Sequence, residues 1–203
     1  MTALLQINSS VFSSDGHSSQ LANEFVAAWR ANNQDALVTV RDLANEPIPH
    51  LDAQRVSAFF TPPEARTVEQ KVFIEESNAL IDELKQSDVI VIGLPMYNFG
   101  IPSTLKAYFD QIARAGVTFR YTENGPEGLI LGKKVYIFAT RGGMYAGTTL
   151  DSQTNYVRDF LKFLGMSDVE FIYAEGLNKG DDTKHKALAS AKEKLLGLAA
   201  KGH

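Results

Sequence analysis

The sequence predicts an α/β fold: five parallel strands in the order 2-1-3-4-5, with helices on both faces of the sheet. Two observations carry this expectation. Short apolar runs alternate with longer amphipathic ones along the chain. Two of the short runs, Val89-Ile90-Val91-Ile92 and Val135-Tyr136-Ile137-Phe138-Ala139, are apolar at every position, as in a parallel strand covered on both faces. Strand–helix–strand repetition makes βαβ units, and right-handed crossovers leave few topologies for them.

Taken in order, Ala3-Leu4-Leu5-Gln6-Ile7 is the first strand and Leu37-Val38-Thr39-Val40 the second. The two fully apolar runs are the third and fourth, and Val169 to Ala174 is the fifth. Between them, Leu21, Phe25, Ala28 and Trp29 give a helix one apolar face, as do Leu80, Ile81 and Leu84 after Phe73 and Ile74. Leu105, Tyr108, Phe109 and Ile112 form a third set, with Ser103 as its expected N-cap. A Lys/Ala/Leu helix over 184–200 closes the chain.

The helix near 153–164 carries two adjoining apolar stripes: Tyr156, Phe160, Phe163 and Val157, Leu161, Leu164. Such a helix is covered on two sides, one by the sheet and the other by a second subunit or a loop of the same chain.

The chain has 203 residues, 44% hydrophobic and 22% charged, which suits one globular domain over 1–203. Two excursions interrupt the alternation, at about 43–66 and 117–132. The second contains the turn signal Asn124-Gly125-Pro126 between extended stretches. A net charge of −4 and the lack of a basic stripe with interleaved aromatics argue against nucleic-acid binding. With no cysteine, disulfides, thiolate catalysis and cysteine-ligated metals are excluded. No apolar run reaches membrane-spanning length, and Met1-Thr2-Ala3-Leu4-Leu5-Gln6 lacks the basic start of a leader. A soluble, cytoplasmic protein is expected.

In a doubly wound sheet, ligands bind beyond the carboxyl ends of the strands, where the strand order reverses. Three loops lie there. The first, residues 8–19, holds six serines in twelve positions and leads into a helix. It lacks GxGxxG, Lys and Arg. Ser10, Gly16, His17 and Ser18 can form a phosphate pocket on hydroxyls and unpaired backbone N–H groups; the alternative is a polar turn with a serine N-cap. The second loop, Gly93-Leu94-Pro95-Met96-Tyr97-Asn98-Phe99-Gly100, places large apolar side chains beside Gly and Pro. These call for a flat apolar cover, either a bound ring system or the 117–132 excursion. The third, Thr140-Arg141-Gly142-Gly143-Met144-Tyr145-Ala146-Gly147, has adjacent glycines that let backbone approach a ligand or form a tight turn. Gly142 and Gly147 have P-loop spacing, but Thr148-Thr149 follow where Lys-Ser/Thr is required. Histidines 17, 50, 185 and 203 lack metal-site spacing. Asp151 and Asp159 read as surface or cap residues. No general base stands out, which points to chemistry carried by a cofactor.

Together, Pro95-Met96-Tyr97-Asn98-Phe99, the run from Arg114 to Gly128, and Arg141-Gly142-Gly143 resemble the FMN-dependent NADH:quinone oxidoreductases, also called azoreductases, a family of flavodoxin-like fold. The likeness runs end to end, through Val40-Arg41-Asp42-Leu43 and Phe171-Ile172-Tyr173-Ala174-Glu175-Gly176. The resemblance implies that Ser10, Gly16, His17 and Ser18 hold the FMN phosphate. It implies that Met96, Tyr97, Asn98 and Phe99 wrap the isoalloxazine, and that Thr140, Arg141, Gly142 and Gly143 meet its pyrimidine edge. It implies homodimers with an FMN site per subunit at the interface, and a substrate pocket drawn from Phe60, Phe119, Tyr121, Tyr145 and Phe163. Gly16-His17 stands where a serine-glutamine pair is frequent, Tyr145 where a histidine occurs, and Phe60 where some relatives have an arginine. The implied activity is ping-pong hydride transfer from NADH or NADPH through FMN to quinones and aromatic azo compounds. The rivals are a flavodoxin-type electron carrier and an FMN reductase that releases its flavin.

Overall fold

The structure is a computed structural model that describes residues 2–200. Met1 and residues 201–203, including His203, lie outside the described residues.

In chain order the elements are β1 (Ala3–Asn8), α1 (His17–Asn32), β2 (Leu37–Asp42), α2 (Ala53–Phe60), α3 (Val68–Gln86), β3 (Val89–Pro95), α4 (Ser103–Ile112), β4 (Phe119–Thr122), β5 (Gly125–Gly128), β6 (Lys134–Thr140), α5 (Ser152–Phe163), β7 (Asp168–Ala174) and α6 (Asp181–Ala199). Short 3-10 turns occupy Ser13–Asp15 and Pro63–Ala65. The main sheet runs β2-β1-β3-β6-β7, all parallel. Counted without the hairpin β4–β5, this is the expected order 2-1-3-4-5, and the fold is flavodoxin-like.

Side-chain alternation along the strands explains the two layers of helices. Leu4, Val89, Val91, Tyr136 and Phe138 point into one core with Phe25, Trp29 and Leu195 of α1 and α6. Their neighbours Leu5, Ile7, Ile90, Ile92, Val135 and Ile137 point into the other, with Leu84, Tyr108, Phe109 and Leu161 of α3, α4 and α5. β3 and β6 therefore present apolar side chains to both cores. Burial of each large side chain contributes roughly 1.5–3 kcal/mol.

Several strands are longer than their apolar cores suggested, because the parallel ladder continues to Asn8, Asp42, Pro95 and Thr140. Ser103 is the first helical residue, and Pro102 takes the N-cap position with no side-chain cap. The fixed φ of proline sets the entry to α4 in place of the serine hydroxyl.

The 43–66 excursion folds into α2, capped by Asp52, whose side chain accepts from Arg55 N–H at 2.8 Å. The 117–132 excursion is the hairpin β4–β5, with Tyr121 opposite Pro126 and Gly125 at φ 107° opening β5 directly after the turn. It docks on α5: Ile130 N–H donates to Leu164 O at 2.8 Å, and the Phe119 and Phe163 rings lie 4.3 Å apart. Phe160 stacks on Phe109 at 4.2 Å. The Tyr156, Phe160, Phe163 stripe of α5 is thus partly covered by α4 and the hairpin, while Tyr156 stays exposed at its edge.

Candidate functional site

The first loop turns through Ser13–Asp15 and delivers Gly16 as the N-cap of α1. No side chain caps this helix, so the serine N-cap alternative fails. Gly16 is required by close approach: a Cβ there would fall 2.1 Å from Ser10 Oγ. The helix N-terminus leaves its first N–H groups unpaired and its dipole directed at the loop. Beside them, the buried Ser18 Oγ, Ser19 Oγ and His17 Nδ1 have no hydrogen-bond partner. Buried polar atoms without partners are uncommon. Hydroxyls and N–H groups gathered at one helix N-terminus suit an anion with several acceptor oxygens.

Tyr97 joins this loop to the second. Its OH lies 3.3 Å from Ser10 Oγ and accepts from Val11 N–H at 3.3 Å. Tyr97 and Gly100 exchange backbone hydrogen bonds of 3.1 and 3.0 Å across a tight turn. The central residues of that turn, Asn98 and Phe99, both have positive φ, 50° and 65°. Asparagine tolerates this region, but a phenylalanine there costs about 1–2 kcal/mol. The turn holds a Phe99 ring that is 51% exposed at the rim of a cavity, and strain of this kind collects at ligand sites.

The third loop is bound to β7 and the segment after it. Leu177, Asn178 and Gly176 N–H groups donate to the carbonyls of Arg141, Gly142 and Gly143 at 3.1, 3.1 and 2.8 Å. With their carbonyls engaged, the Gly142 and Gly143 N–H groups have no protein partner among the described residues. Beneath the loop, Arg141 is 1% exposed. Its guanidinium donates to Asp151 at 2.9 Å, Thr154 Oγ1 at 2.9 Å and Glu175 at 3.1 Å. Gln153 Oε1 accepts from Arg141 Nε at 3.4 Å, and Gln153 Nε2 donates to Pro95 O at 2.8 Å. Arg141 therefore anchors the second and third loops from below. Burial pushes the Asp151 carboxyl up, but hydrogen bonds from Arg141 and Thr154 outweigh it and hold the group below its ordinary value.

Met96, Asn98, Phe99, Gly142, Gly143, Tyr145 and Asn178 line one cavity of about 370 Å³. The Phe99 and Tyr145 rings meet edge to face across it at 5.5 Å. Thr140 ends β6, and its carbonyl accepts from Met96 N–H at 2.9 Å, tying the two loops together. Of the expected ring-contacting residues, Met96, Asn98, Phe99, Gly142 and Gly143 meet at this cavity. Tyr97 links it to the Ser10, Gly16, His17, Ser18 loop. The Arg141 side chain points into the network below. Of the five expected substrate-pocket residues, Tyr145 alone lines the cavity. Phe60 ends α2 and is 77% exposed. Phe119 and Phe163 pair under the hairpin, and Tyr121 is 75% exposed on it.

Four contributors to this site are not among the expected site residues. Gln153 and Asn178 sit outside any motif, and Glu175 falls within the run Phe171 to Gly176. Asp151 is the N-cap of α5, as a cap reading allowed, but its ion pair with Arg141 depends on tertiary contact.

A separate cavity of about 300 Å³ lies under the 43–66 excursion, between Pro47, Ile48, Pro49 and Leu80. It shares no residue with the three loops, and its guanidinium groups, Arg41 and Arg55, are already paired with Glu46 and Glu76. Among the described residues, no group of three or more His, Asp or Glu is placed to hold a metal ion, and no helix is long and apolar enough to cross a membrane.

Residues 2–198 match the family described as flavodoxin-like fold. The chain is 58% identical over 195 residues to an FMN-dependent NADH:quinone oxidoreductase of Cellvibrio japonicus, covering 96% of this chain and 97% of that one. It is 60% identical to FMN-dependent NADH:quinone oxidoreductase 6 of Burkholderia lata, covering 96% and 98%. Among solved structures it resembles the azoreductase of Bacillus anthracis strain Sterne, with a TM-score of 0.91, 26% identity and coverage of 99% and 100%. It also resembles an FMN-dependent NADH-azoreductase of Bacillus anthracis strain Ames Ancestor in complex with FMN, with a TM-score of 0.90, 26% identity and 99% of each chain covered.

Proposed function

This chain belongs to the flavodoxin-like family of FMN-dependent NADH:quinone oxidoreductases, and from that membership we propose that it reduces quinones by two electrons, and aromatic azo compounds, at the expense of NADH. The observation that carries this reading is the Ser10–Tyr97 junction. It makes a helix N-terminus suited to a phosphate continuous with an aromatic-walled cavity suited to a flat ring. A phosphate and a flat ring joined by a short chain is the form of FMN, and NADH as donor follows the relatives' names.

FMN, when bound, supplies a ring that takes up hydride from a reduced nicotinamide and gives it to an acceptor. The chain's own residues bind and orient. Ser10, Ser18 and the N–H groups of the α1 N-terminus hold the phosphate. Met96, Tyr97, Asn98 and Phe99 form one wall for the ring. The Gly142 and Gly143 N–H groups face the ring edge, where they stabilise negative charge. Tyr145 and Phe99 cover the cavity and exclude water. Apolar, aromatic walls with few polar groups explain a broad choice of flat acceptors.

The cavity between the second and third loops would seat donor and acceptor in turn, so that the donor would leave before the acceptor enters. A second copy of the chain completes the pocket in this reading. Exposed Tyr121 on the hairpin and half-buried Phe163 on α5 are the side chains that reach the partner's site, with Phe119 supporting both. Phe60 and Tyr145 complete the approach to the ring. We place the enzyme in the cytoplasm, where NADH is supplied.

The test is steady-state oxidation of NADH by FMN-loaded protein, with benzoquinone varied at several fixed NADH concentrations. Parallel double-reciprocal lines are expected. Intersecting lines contradict the shared cavity, and an absence of quinone-dependent NADH oxidation contradicts the activity.

A further inference from the structure

Glu175 follows the last residue of β7 and occupies no place in the proposed chemistry. One of its oxygens, Oε1, accepts three hydrogen bonds: from Tyr145 N–H at 2.8 Å, from Ala146 N–H at 2.9 Å and from Arg141 Nη1 at 3.1 Å. Its side chain is only 12% exposed, and that of Arg141 is fully buried. A carboxylate oxygen shared by two consecutive backbone N–H groups fixes the peptide planes on both sides of Tyr145, since each bond constrains one plane. Arg141 keeps the carboxylate in place from below, and Arg141 is itself held by Asp151, Thr154 and Gln153.

The loop so fixed carries the groups that face the cavity. Gly143 and Tyr145 both line it, and Gly143 O is tied to Gly176 N–H, the residue after Glu175, at 2.8 Å. The backbone bond holds the start of the loop and the carboxylate holds its far end. Nothing else among the described residues accepts from the Tyr145 or Ala146 N–H groups. The loop has no regular secondary structure of its own, so without the carboxylate its 144–147 part has only the Thr148 bonds to Tyr145 O left near it.

We infer that Glu175 is a positioning residue: its carboxylate, locked by Arg141, holds the Gly143–Ala146 backbone in the conformation that receives the ring edge of the flavin. This rests on the FMN reading given above. It places the determinant of ring-edge binding at a residue that does not line the cavity. The residue acts on the ring and leaves the phosphate loop untouched, because Ser10, Gly16 and Ser18 share no hydrogen bond with this network.

The experiment compares the affinities of the apoprotein for FMN and for riboflavin, which lacks the phosphate, by quenching of flavin fluorescence. Wild type, Glu175→Ala, Glu175→Gln and Ala146→Pro are measured, with folding followed by circular dichroism. Glu175→Ala is expected to weaken both flavins by the same factor, about tenfold, the worth of one or two hydrogen bonds to a charged acceptor. It is also expected to shift the visible absorption band of the bound flavin. Glu175→Gln keeps an acceptor oxygen and restores most of the affinity. Ala146→Pro deletes one N–H donor at an exposed position and leaves the carboxylate intact. It weakens both flavins less than Glu175→Ala does, and adds little in combination with it.

Wild-type affinity and spectrum in Glu175→Ala overturn the inference, as does a loss confined to FMN. If Glu175→Ala does not fold, Ala146→Pro decides: a loss shared by both flavins supports the role, and unchanged binding overturns it. Failure of the wild type to bind FMN is a different result, which rejects the FMN reading itself.

Discussion

Ser10 and Gly16 close the first loop against each other, with room for a hydroxyl and no room for a methyl: a Cβ on Gly16 would lie 2.1 Å from Ser10 Oγ. The contact fixes the α1 N-terminus against Ser10, whose hydroxyl meets that of Tyr97, and so where the proposed anion site meets the cavity. Gly16→Ala is expected to weaken FMN by about tenfold or more, the worth of a lost hydrogen bond to a charged group. Riboflavin binding, which does not use the phosphate, is expected to change little. Fluorescence quenching with the two flavins checks the contrast.

The ring-edge loop is equally crowded. A Cβ on Gly143 would come within 2.5 Å of the Tyr145 ring. Gly143→Val is expected to push that ring across the cavity and weaken FMN and riboflavin alike, by about tenfold, since overpacking costs roughly 1–3 kcal/mol. The double variant Gly143→Val with Tyr145→Ala removes the clash and recovers part of the affinity. Unchanged flavin affinity in Gly143→Val contradicts this placement of the ring edge.

The turn at Asn98-Phe99 trades stability for a wall. Phe99 has φ 65°, a conformation glycine adopts freely. Phe99→Gly is expected to stabilise the apoprotein against urea, or at least not to destabilise it, with relief of about 1 kcal/mol of backbone strain offset in part by glycine's unfolded-state entropy. The same variant loses the ring and with it affinity for flavin and for flat acceptors. A clear fall in apoprotein stability contradicts the account of strain.

Acid should act through Asp151. Its carboxyl is held below the ordinary 3.8 by Arg141 and Thr154, against the opposing effect of burial. A carboxyl with a depressed folded value adds stability that is complete above its unfolded pKa and is lost as pH falls through the folded one. Wild type is therefore expected to exceed Asp151→Asn in stability by a constant margin at pH 5 to 7, and by a shrinking margin below about pH 3.8. Urea titrations across this range check it, and a margin that grows in acid contradicts the pairing.

The sequence made the layers legible and left the loop supports hidden. Val89 to Ile92 and Val135 to Ala139 are apolar at every position because helices cover both sides of them, a local pattern with one global cause. The first loop reads as a serine-rich entry to a helix, but that no serine caps this helix follows only from Gly16 taking the N-cap position. The Arg141 side chain shows what pattern cannot supply. The family resemblance puts Arg141 at the flavin's ring edge, yet its guanidinium is buried among Asp151, Gln153, Thr154 and Glu175. Those partners lie 10 to 34 residues away, and no spacing rule connects them. The stripes of α5 call for two covers. The second is supplied in part by Phe109 and Phe119 of the same chain, leaving Tyr156 and Tyr121 outward.

That outward remainder bears on assembly. The proposed dimer gives a mass near twice the 22.3 kDa of one chain by light scattering. Tyr121→Arg, on the exposed side of the hairpin, is expected to slow quinone reduction while leaving the monomer fold intact. A monomeric wild type with full activity contradicts the shared site.

The most direct test of the central claim is anaerobic spectroscopy on protein loaded with FMN and desalted. A retained flavin spectrum that is bleached by one equivalent of NADH and restored by one equivalent of benzoquinone is the expected result. Folded protein that emerges colourless from the desalting column, or a retained flavin that NADH does not bleach, contradicts it.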